Sequence, residues 1–389
     1  MNERPRVLMV GPWPPAKGGV ATFMMNVARS SLRKRYEIIP FTTARPTKLR
    51  GGDNYGYRAM LRGGLKRVLQ GTVLTAWHLV KYPWVIVFRR PALIQIQASD
   101  FISFWEASIY VVTAKALGKP VMLRIGGSFN RFWESSGRLG RAGITRTLNQ
   151  PAVLIVQSEY WKNYVAGIRR SLPTVVLTNF VPNALVEKRI DPPAGMPRFL
   201  LYAGETPELK GAFVLLEALS TLAANGVTVH VTMIGVTQRF RDHVESSGLT
   251  SNITLREYLS HADVLDELRR TDVFLQISYN EGFPNTLLEA MALGCASIVT
   301  PVGAIPEAVG ADGHCAFVIP AGDAAALSNR MARLIATPLL IARMAAAAQE
   351  RVLEQFTEKT VAQVLDKQYS KILGLSTEAH DPPRHEEAS

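Results

Sequence analysis

The sequence predicts an α/β protein made of two doubly wound domains, and three observations support this fold class. At 389 residues the chain is long enough for two domains of ordinary size, each with its own core. Short apolar, β-branched runs alternate with helical patterns, as the repeated βα units of a parallel sheet require. This alternation begins again after Arg198, where a second domain is expected to open.

The first predicted domain opens with a buried strand at Arg6–Gly11 and a proline-rich loop that ends in Gly18 and Gly19. A helix is expected from near Ala21. Two glycines permit either a tight turn or a close approach of the backbone to a ligand, and both interpretations stay open. The loop lacks the G-x-G-x-x-G spacing of dinucleotide-binding enzymes, which disfavours a nicotinamide-dependent oxidoreductase. Further strands are expected at 92–97, 120–125, 153–157 and 175–177, and a helix at 101–117.

A connection at 178–182 leads to the second predicted domain. Strands are expected there at 199–203, 227–234, 253–255 and 272–277, and helices at 212–224, 262–270 and 324–336. We therefore predict domains at 1–182 and 183–356, with a last helix at 357–375 that packs back on the first domain. Residues 376–389 are polar, contain Pro382 and Pro383, and are expected to be a disordered tail.

Charge is distributed unevenly between the two halves. Residues 1–190 contain 29 Lys and Arg against 8 Asp and Glu, a net +21, whereas residues 191–389 contain 15 against 24, a net −9. Such asymmetry indicates that the first half faces a polyanion. In this half Arg58, Arg62 and Lys66 recur every four residues among aromatic side chains, which suits a helix on an anionic membrane surface. A solvated basic face is the alternative, and we find no nucleic-acid recognition motif.

Other classes of site have little support in the sequence. The two cysteines, Cys295 and Cys315, are too few for a disulfide framework and are typical of a cytosolic protein. There is no Asp-x-Asp and no His/Cys cluster with metal-ligand spacing, so the sequence offers no candidate metal site. The sequence shows no signal peptide and no apolar run long enough to span a membrane.

The predicted chemistry is concentrated at residues 280–294. Glu281 lies in the loop after the strand at 272–277. Residues Thr286 to Leu293 are then apolar at helical spacing, with Asn285 or Thr286 as the candidate N-cap and Gly294 as the stop. Glu289 is then expected in the first helical turn, where the helix dipole favours a carboxylate. The free amides of the same turn could hold an anion such as a diphosphate, and they belong to Thr286, Leu287 and Leu288.

Two glutamates eight positions apart are often no more than a capping residue and a solvated loop acid. The longer string E-G-F-P-x-T-L-L-E-A-M-A-L-G, followed by P-V-G-A-I-P-E at 301–307, resembles the donor-site signature of the family 4 retaining glycosyltransferases. The resemblance implies the GT-B fold, in which two Rossmann-like domains face each other across a cleft. It also implies a nucleotide-sugar donor, a lipid-linked or polysaccharide acceptor, no cofactor and no bound metal. Together with the basic first half, it favours a peripheral location on the cytoplasmic membrane face.

The same resemblance implies roles for individual residues. Glu281 contacts the sugar near the reacting face, Glu289 grips the ribose, and Lys210 neutralises the departing phosphate. Asn285 joins the phosphate and sugar cradle. Gly18 and Gly19 correspond to the first-domain glycine loop. Gly204, Arg124 and Tyr258 complete the candidate donor contacts.

This sequence departs from the family pattern in two places. A basic residue commonly follows the glycine after the first strand of the second domain, but here Glu205 follows Gly204, and Arg124 is a candidate substitute cation. A histidine is common in the loop after the strand at 120–125, but no histidine occurs from residue 79 to 229. A non-catalytic scaffold with the GT-B fold is therefore the alternative to an active transferase.

Overall fold

Two parallel six-stranded sheets form the centre of the protein in the computed structural model. The structure describes residues 3–14, 16, 19–44, 64–99, 101–127, 129–169, 172–187, 191–204, 206–257 and 259–376, with only the backbone for 64–67. The first sheet has the order β2-β1-β3-β4-β5-β6, and all its neighbours are parallel. Its strands are β1 (Arg6–Gly11), β2 (Glu37–Thr42), β3 (Leu93–Ala98), β4 (Val121–Ile125), β5 (Val153–Val156) and β6 (Thr174–Val176).

The second sheet has the order β12-β11-β10-β7-β8-β9 and is also parallel throughout. Its inner strands β10 and β11 are buried at every position, which explains why all their residues except Gln276 and Ser297 are apolar. Carboxyl ends of parallel strands share one edge of the sheet, where ligands bind in open α/β folds. The strands are β7 (Phe199–Tyr202), β8 (Val231–Ile234), β9 (Ile253–Arg256), β10 (Val273–Gln276), β11 (Ala296–Val299) and β12 (Ala316–Val318).

Helices cover the faces of both sheets. The first half contains α1 (Gly19–Arg29), α2 (Gly64–Arg89), α3 (Ile102–Ala116), α4 (Phe129–Ser135), α5 (Arg138–Leu148) and α6 (Glu159–Ala166). The second half contains α7 (Ala212–Ala224), α8 (Gln238–Ser246), α9 (His261–Arg269), α10 (Asn285–Ala292), α11 (Ile305–Val309), α12 (Ala324–Ala336), α13 (Pro338–Gln355) and α14 (Glu358–Leu373). Short 3₁₀ turns lie at 31–34, 183–185 and 250–252.

The last helix, α14, packs against the first sheet. The buried Tyr369 hydroxyl donates to the side-chain oxygen of Gln95 on β3. Asp366 accepts hydrogen bonds from Arg35 at 2.5 Å and from the Tyr36 hydroxyl at 2.9 Å. These contacts join residues more than 270 positions apart, so the chain end forms part of the first-domain core.

The predicted fold class is confirmed, because both sheets are parallel and doubly wound. The strand predicted at 227–234 is shorter than expected and begins at Val231. Residues 227–230 are apolar enough for a strand, but sheet pairing with β7 starts only at Val231. Arg58 and Arg62 lie outside the described residues, as does the side chain of Lys66, and the predicted tail is outside them from residue 377.

Within the described ranges no single helix is both long and apolar enough to cross a membrane. Among the helices that the structure describes, the pair α12 and α13 reaches the required length and composition when taken together, and the two are bent by 104° relative to each other.

Candidate functional site

Lys210 and Glu281 form an ion pair at the carboxyl edge of the second sheet. Lys210 lies on the turn before α7, and its Nζ donates to Glu281 Oε1 at 2.5 Å. The two side chains are only 24% and 11% exposed. A salt bridge with so little water around it is screened weakly, so each charge acts strongly on its neighbours.

Two neutral donors also converge on the same carboxylate oxygen. Gln276 Nε2 and Ser278 Oγ each donate to Glu281 Oε1 at 2.7 Å. Gln276 ends β10 and Ser278 begins the loop after it, so the strand end itself orients the carboxylate. Neither residue was predicted from the sequence, although a glutamine in the otherwise apolar run 273–277 was a usable signal.

Helix α10 directs its N-terminus toward the same edge, but it begins one residue earlier than predicted. Pro284 is the N-cap, and no side chain in the described part of the chain caps the helix there. The amide of Leu288 donates to the Pro284 carbonyl at 3.5 Å, so its predicted role as a free anion donor is wrong. Helix geometry leaves the amides of Asn285, Thr286 and Leu287 without intrahelical partners.

Glu289 is buried on the second turn of α10, not on the first turn as predicted, because the helix begins at Asn285. His261, the first residue of α9, forms a hydrogen bond through Nε2 with Glu289 Oε1 at 2.8 Å. This bond raises the pKa of His261, whereas partial burial opposes the rise. The sequence contained no signal for this partner, because His261 and Glu289 are brought together only by packing of α9 on α10.

The first domain contacts this edge directly. Asn285 Nδ2 donates to the carbonyl of Gly19 at 3.2 Å, so the N-termini of α1 and α10 face each other. A Cβ on Gly19 would lie 2.8 Å from the same nitrogen, so a larger residue there would displace the Asn285 side chain from this contact. Beside this contact, the Trp161 indole donates to the Gly282 carbonyl at 3.4 Å. The structure therefore brings Gly19 and Asn285, two of the predicted donor-site residues, into contact where the two halves meet.

A second contact between the two halves involves Glu307, at the end of the P-V-G-A-I-P-E string. Its carboxylate accepts the backbone N–H groups of Glu159 at 2.8 Å and of Tyr160 at 2.6 Å. An acid at a helix N-terminus is favoured by the helix dipole, so Glu307 caps α6 across the cleft.

Arg124 lies beneath the cleft and not on its wall. It is 1% exposed, its Nη2 donates to Asn179 Oδ1 at 2.7 Å, and its guanidinium stacks on Phe23 at 3.8 Å. Burial lowers the pKa of Arg124 to about 9. Asn179 in turn donates to the Phe283 carbonyl at 2.8 Å. The predicted substitute cation thus has no direct access to a ligand in this arrangement and instead links β4, the connection and the Glu281 loop.

Of the other candidate residues, the structure describes Gly204. Gly204 follows β7 at the carboxyl edge and is packed against Gly235. Gly18, Glu205 and Tyr258 lie outside the described residues. In the ranges that are described, no group of three His, Cys, Asp or Glu side chains is arranged to hold a metal ion.

Gly303 supports the backbone of Glu281, and we expect Gly303→Ala to disrupt it. Gly303 has a φ of +56°, and a Cβ there would lie 2.0 Å from the Glu281 carbonyl oxygen. Thermal unfolding should show a loss of stability of several kcal/mol, since strain of roughly 1–3 kcal/mol adds to a backbone clash. Gly118→Ala is the matched control, because Gly118 has a φ of +69° and open space around it. Equal losses for the two variants would contradict the proposed contact.

The second half of the chain resembles a known protein family in sequence, and nearly the whole chain resembles solved structures in fold. Residues 186–351 match the family model described as "Glycosyl transferases group 1". A curated relative, the putative colanic acid biosynthesis glycosyltransferase WcaL of Salmonella typhimurium, is 33% identical over 147 residues. That match covers 36% of this chain, and the chain spans only 36% of the relative's length.

Solved structures resemble nearly the entire chain. Sucrose-phosphate synthase from Thermosynechococcus elongatus aligns with a TM-score of 0.74 and 17% identity, covering 96% of this chain and all of the other. Anabaena HepE in complex with UDP-glucose aligns with a TM-score of 0.70 and 16% identity, covering 94% and 99%. At these identities the likeness shows the fold, and the fold is GT-B, as the sequence predicted.

Proposed function

We propose that the protein is a retaining glycosyltransferase, on the premise that residues 186–351 match the family model of the glycosyl transferases group 1. It transfers a sugar from a nucleotide-sugar donor to a lipid-linked or polysaccharide acceptor at the cytoplasmic face of the membrane. The observation that carries the proposal is the partly buried Lys210–Glu281 pair beside the uncapped N-terminus of α10, opposite Gly19 of the other domain.

This arrangement meets the electrostatic needs of sugar transfer. As the bond between the sugar C1 and the phosphate oxygen breaks, positive charge develops on the sugar and negative charge on the diphosphate. Lys210 would stabilise the phosphate, and Glu281 would hold sugar hydroxyls beside the cationic centre. The acceptor hydroxyl then bonds to C1 on the same face, and its proton passes to the leaving phosphate.

The diphosphate is proposed to bind without a metal ion. The free amides of Asn285, Thr286 and Leu287 point out of α10, and the helix dipole favours an anion there. Lys210 adds a full positive charge to this cradle. Glu289, buried one turn further along the helix, would accept both ribose hydroxyls through its carboxylate.

The acceptor and the location are inferred from a relative and from the charge of the first half. WcaL is named for colanic acid biosynthesis, which supports a polysaccharide or lipid-linked acceptor for this chain as well. The net charge of +21 on residues 1–190 supports contact with anionic lipid, at roughly 1 kcal/mol for each basic residue near the surface.

A panel of UDP-, GDP- and ADP-sugars tests the proposal. The protein should release the nucleoside diphosphate from at least one donor, slowly with water and faster with an acceptor. A non-catalytic scaffold with the same fold would release none, whether or not it bound the nucleotide.

His261 should make the stability of the donor site depend on pH. Its pKa is raised above its ordinary value of 6.5 by the bond to Glu289, so the protonated form stabilises the fold. This contribution is complete below pH 6.5 and is lost as the pH rises through the raised pKa. The difference in Tm between the wild type and His261→Gln should therefore shrink as the pH increases through the raised pKa. His314→Gln, at an exposed histidine, is the control, and a constant difference for His261→Gln would contradict the prediction.

A further inference from the structure

Helix α2 turns an apolar face to solvent along most of its length. Six side chains on this face are between 51% and 63% exposed and recur at steps of three or four residues, so they share one side of the helix. A helix of 26 residues is about 39 Å long, which makes the stripe unusually extended for a water-exposed surface. We call it the α2 stripe: Leu69, Val73, Trp77, Val80, Trp84 and Val87.

Helix α3 continues the same surface. It packs beside α2 through Tyr82 and Tyr110, whose rings are 4.7 Å apart, and both helices cover one face of the first sheet. The sides of the two helices turned away from the sheet therefore face the same direction. On α3 this side carries four further exposed apolar residues: Ile102, Trp105, Ile109 and Val112.

We propose that the α2 stripe and the exposed side of α3 insert into the interfacial region of an anionic lipid membrane. From residue 54 to 99 the sequence has seven Lys and Arg and no Asp or Glu. Lys81 and Arg89 are exposed on α2 itself, where their ammonium and guanidinium groups can reach lipid phosphates while Trp77 and Trp84 enter the acyl boundary. Tryptophan with flanking cations is typical of helices that lie in this layer.

The structure favours a membrane over a second copy of the chain. Two copies meeting through this face would bring like charges together, which disfavours association. The opposite side of α2 is committed to the core, since His78, Tyr82 and Ile86 are buried there. The helix can therefore lie in one leaflet to a depth of roughly 5–10 Å.

This surface ends beside the proposed active site. Trp105, near the start of α3, contacts the ring of Phe132 on α4, with the ring centroids 6.1 Å apart. On the same helix, Asn130 accepts a hydrogen bond at 3.5 Å from Asn280, the residue before Glu281. A lipid-linked acceptor in the same leaflet would thus approach the cleft from the membrane. The approach of a lipid-linked acceptor rests on the proposed function, whereas insertion of the helices into the membrane does not.

If apolar side chains insert into the lipid, binding should survive high salt, whereas attraction by a basic face alone should be lost. Flotation with vesicles of phosphatidylglycerol and phosphatidylcholine should show binding that persists at high salt. Trp77→Gln combined with Trp84→Gln should lower the partition coefficient by roughly a hundredfold or more, since burying one large apolar side chain is equivalent to about a tenfold to hundredfold change. Both tryptophans are more than half exposed, so the variant should keep the wild-type Tm.

Leu339→Gln is the matched control, because Leu339 is 73% exposed on α13 of the second domain and its loss should leave binding unchanged. Wild-type binding by the double Trp variant would overturn the proposal, as would complete release of the wild type by salt. A concentration-dependent dimer that the double variant abolishes, without vesicle binding, would assign the face to self-association instead. None of these vesicle experiments contains donor or acceptor. A negative result would therefore reject membrane insertion and leave the nucleotide-sugar assay as a separate test of the proposed function.

Discussion

Glu281→Gln is expected to lower kcat by roughly two to three powers of ten while changing donor affinity little. The variant keeps the size of the side chain but removes the negative charge that Lys210, Gln276 and Ser278 hold in place. That charge matters most when the sugar becomes cationic, so its loss raises the transition state more than the bound ground state. Steady-state kinetics with the active donor, combined with nucleotide titration, measure the two effects separately.

Two companion variants show whether the ion pair is the cause. Lys210→Ala should resemble Glu281→Gln, and the double variant should be scarcely slower than either single one, because paired residues act as a unit. Ser278→Ala removes one neutral donor but leaves the pair intact, so it should cost less than about tenfold. Normal turnover by Glu281→Gln, or a loss of affinity alone, would show that the active-site assignment is wrong.

Glu289→Ala is expected to raise the donor KM by roughly tenfold to a hundredfold, with kcat changed only slightly. The ribose does not change during transfer, so contacts to it stabilise the ground state and the transition state equally. Two hydrogen bonds to a buried carboxylate are worth an effect of about this size. Nucleotide titration should show the same loss, because the ribose is part of the nucleotide.

Controls for this variant address stability and specificity. Glu289→Gln preserves packing beside His261 and should raise KM less than the alanine variant. Glu354→Ala changes an exposed carboxylate on α13 and should have no effect. If Glu289→Ala bound nucleotide as the wild type does, the ribose would have to be held elsewhere.

The sequence determined the elements that carry the site. The apolar run at 272–277, Glu281 after it and the helix over 285–292 are local patterns, and strand or helix type depends on such periodicity and on turn residues. The carboxyl edge of a parallel sheet then follows from topology, so Lys210, Glu281 and Asn285 could be assigned to one cleft before the structure was known. The charge asymmetry between the two halves is likewise a property of sequence alone.

Only the tertiary structure decided which side chains meet. Glu281 is held by Gln276 and Ser278, and Glu289 by His261, through contacts that no spacing encodes. Arg124 was a candidate ligand cation from sequence, yet packing on Phe23 buries it beneath the cleft. Apolar periodicity likewise predicts that a helix has an apolar face, but neighbouring elements decide which face they cover. Long-range packing therefore leaves the Trp77 and Trp84 side of α2 exposed, because the sheet already contacts the opposite side.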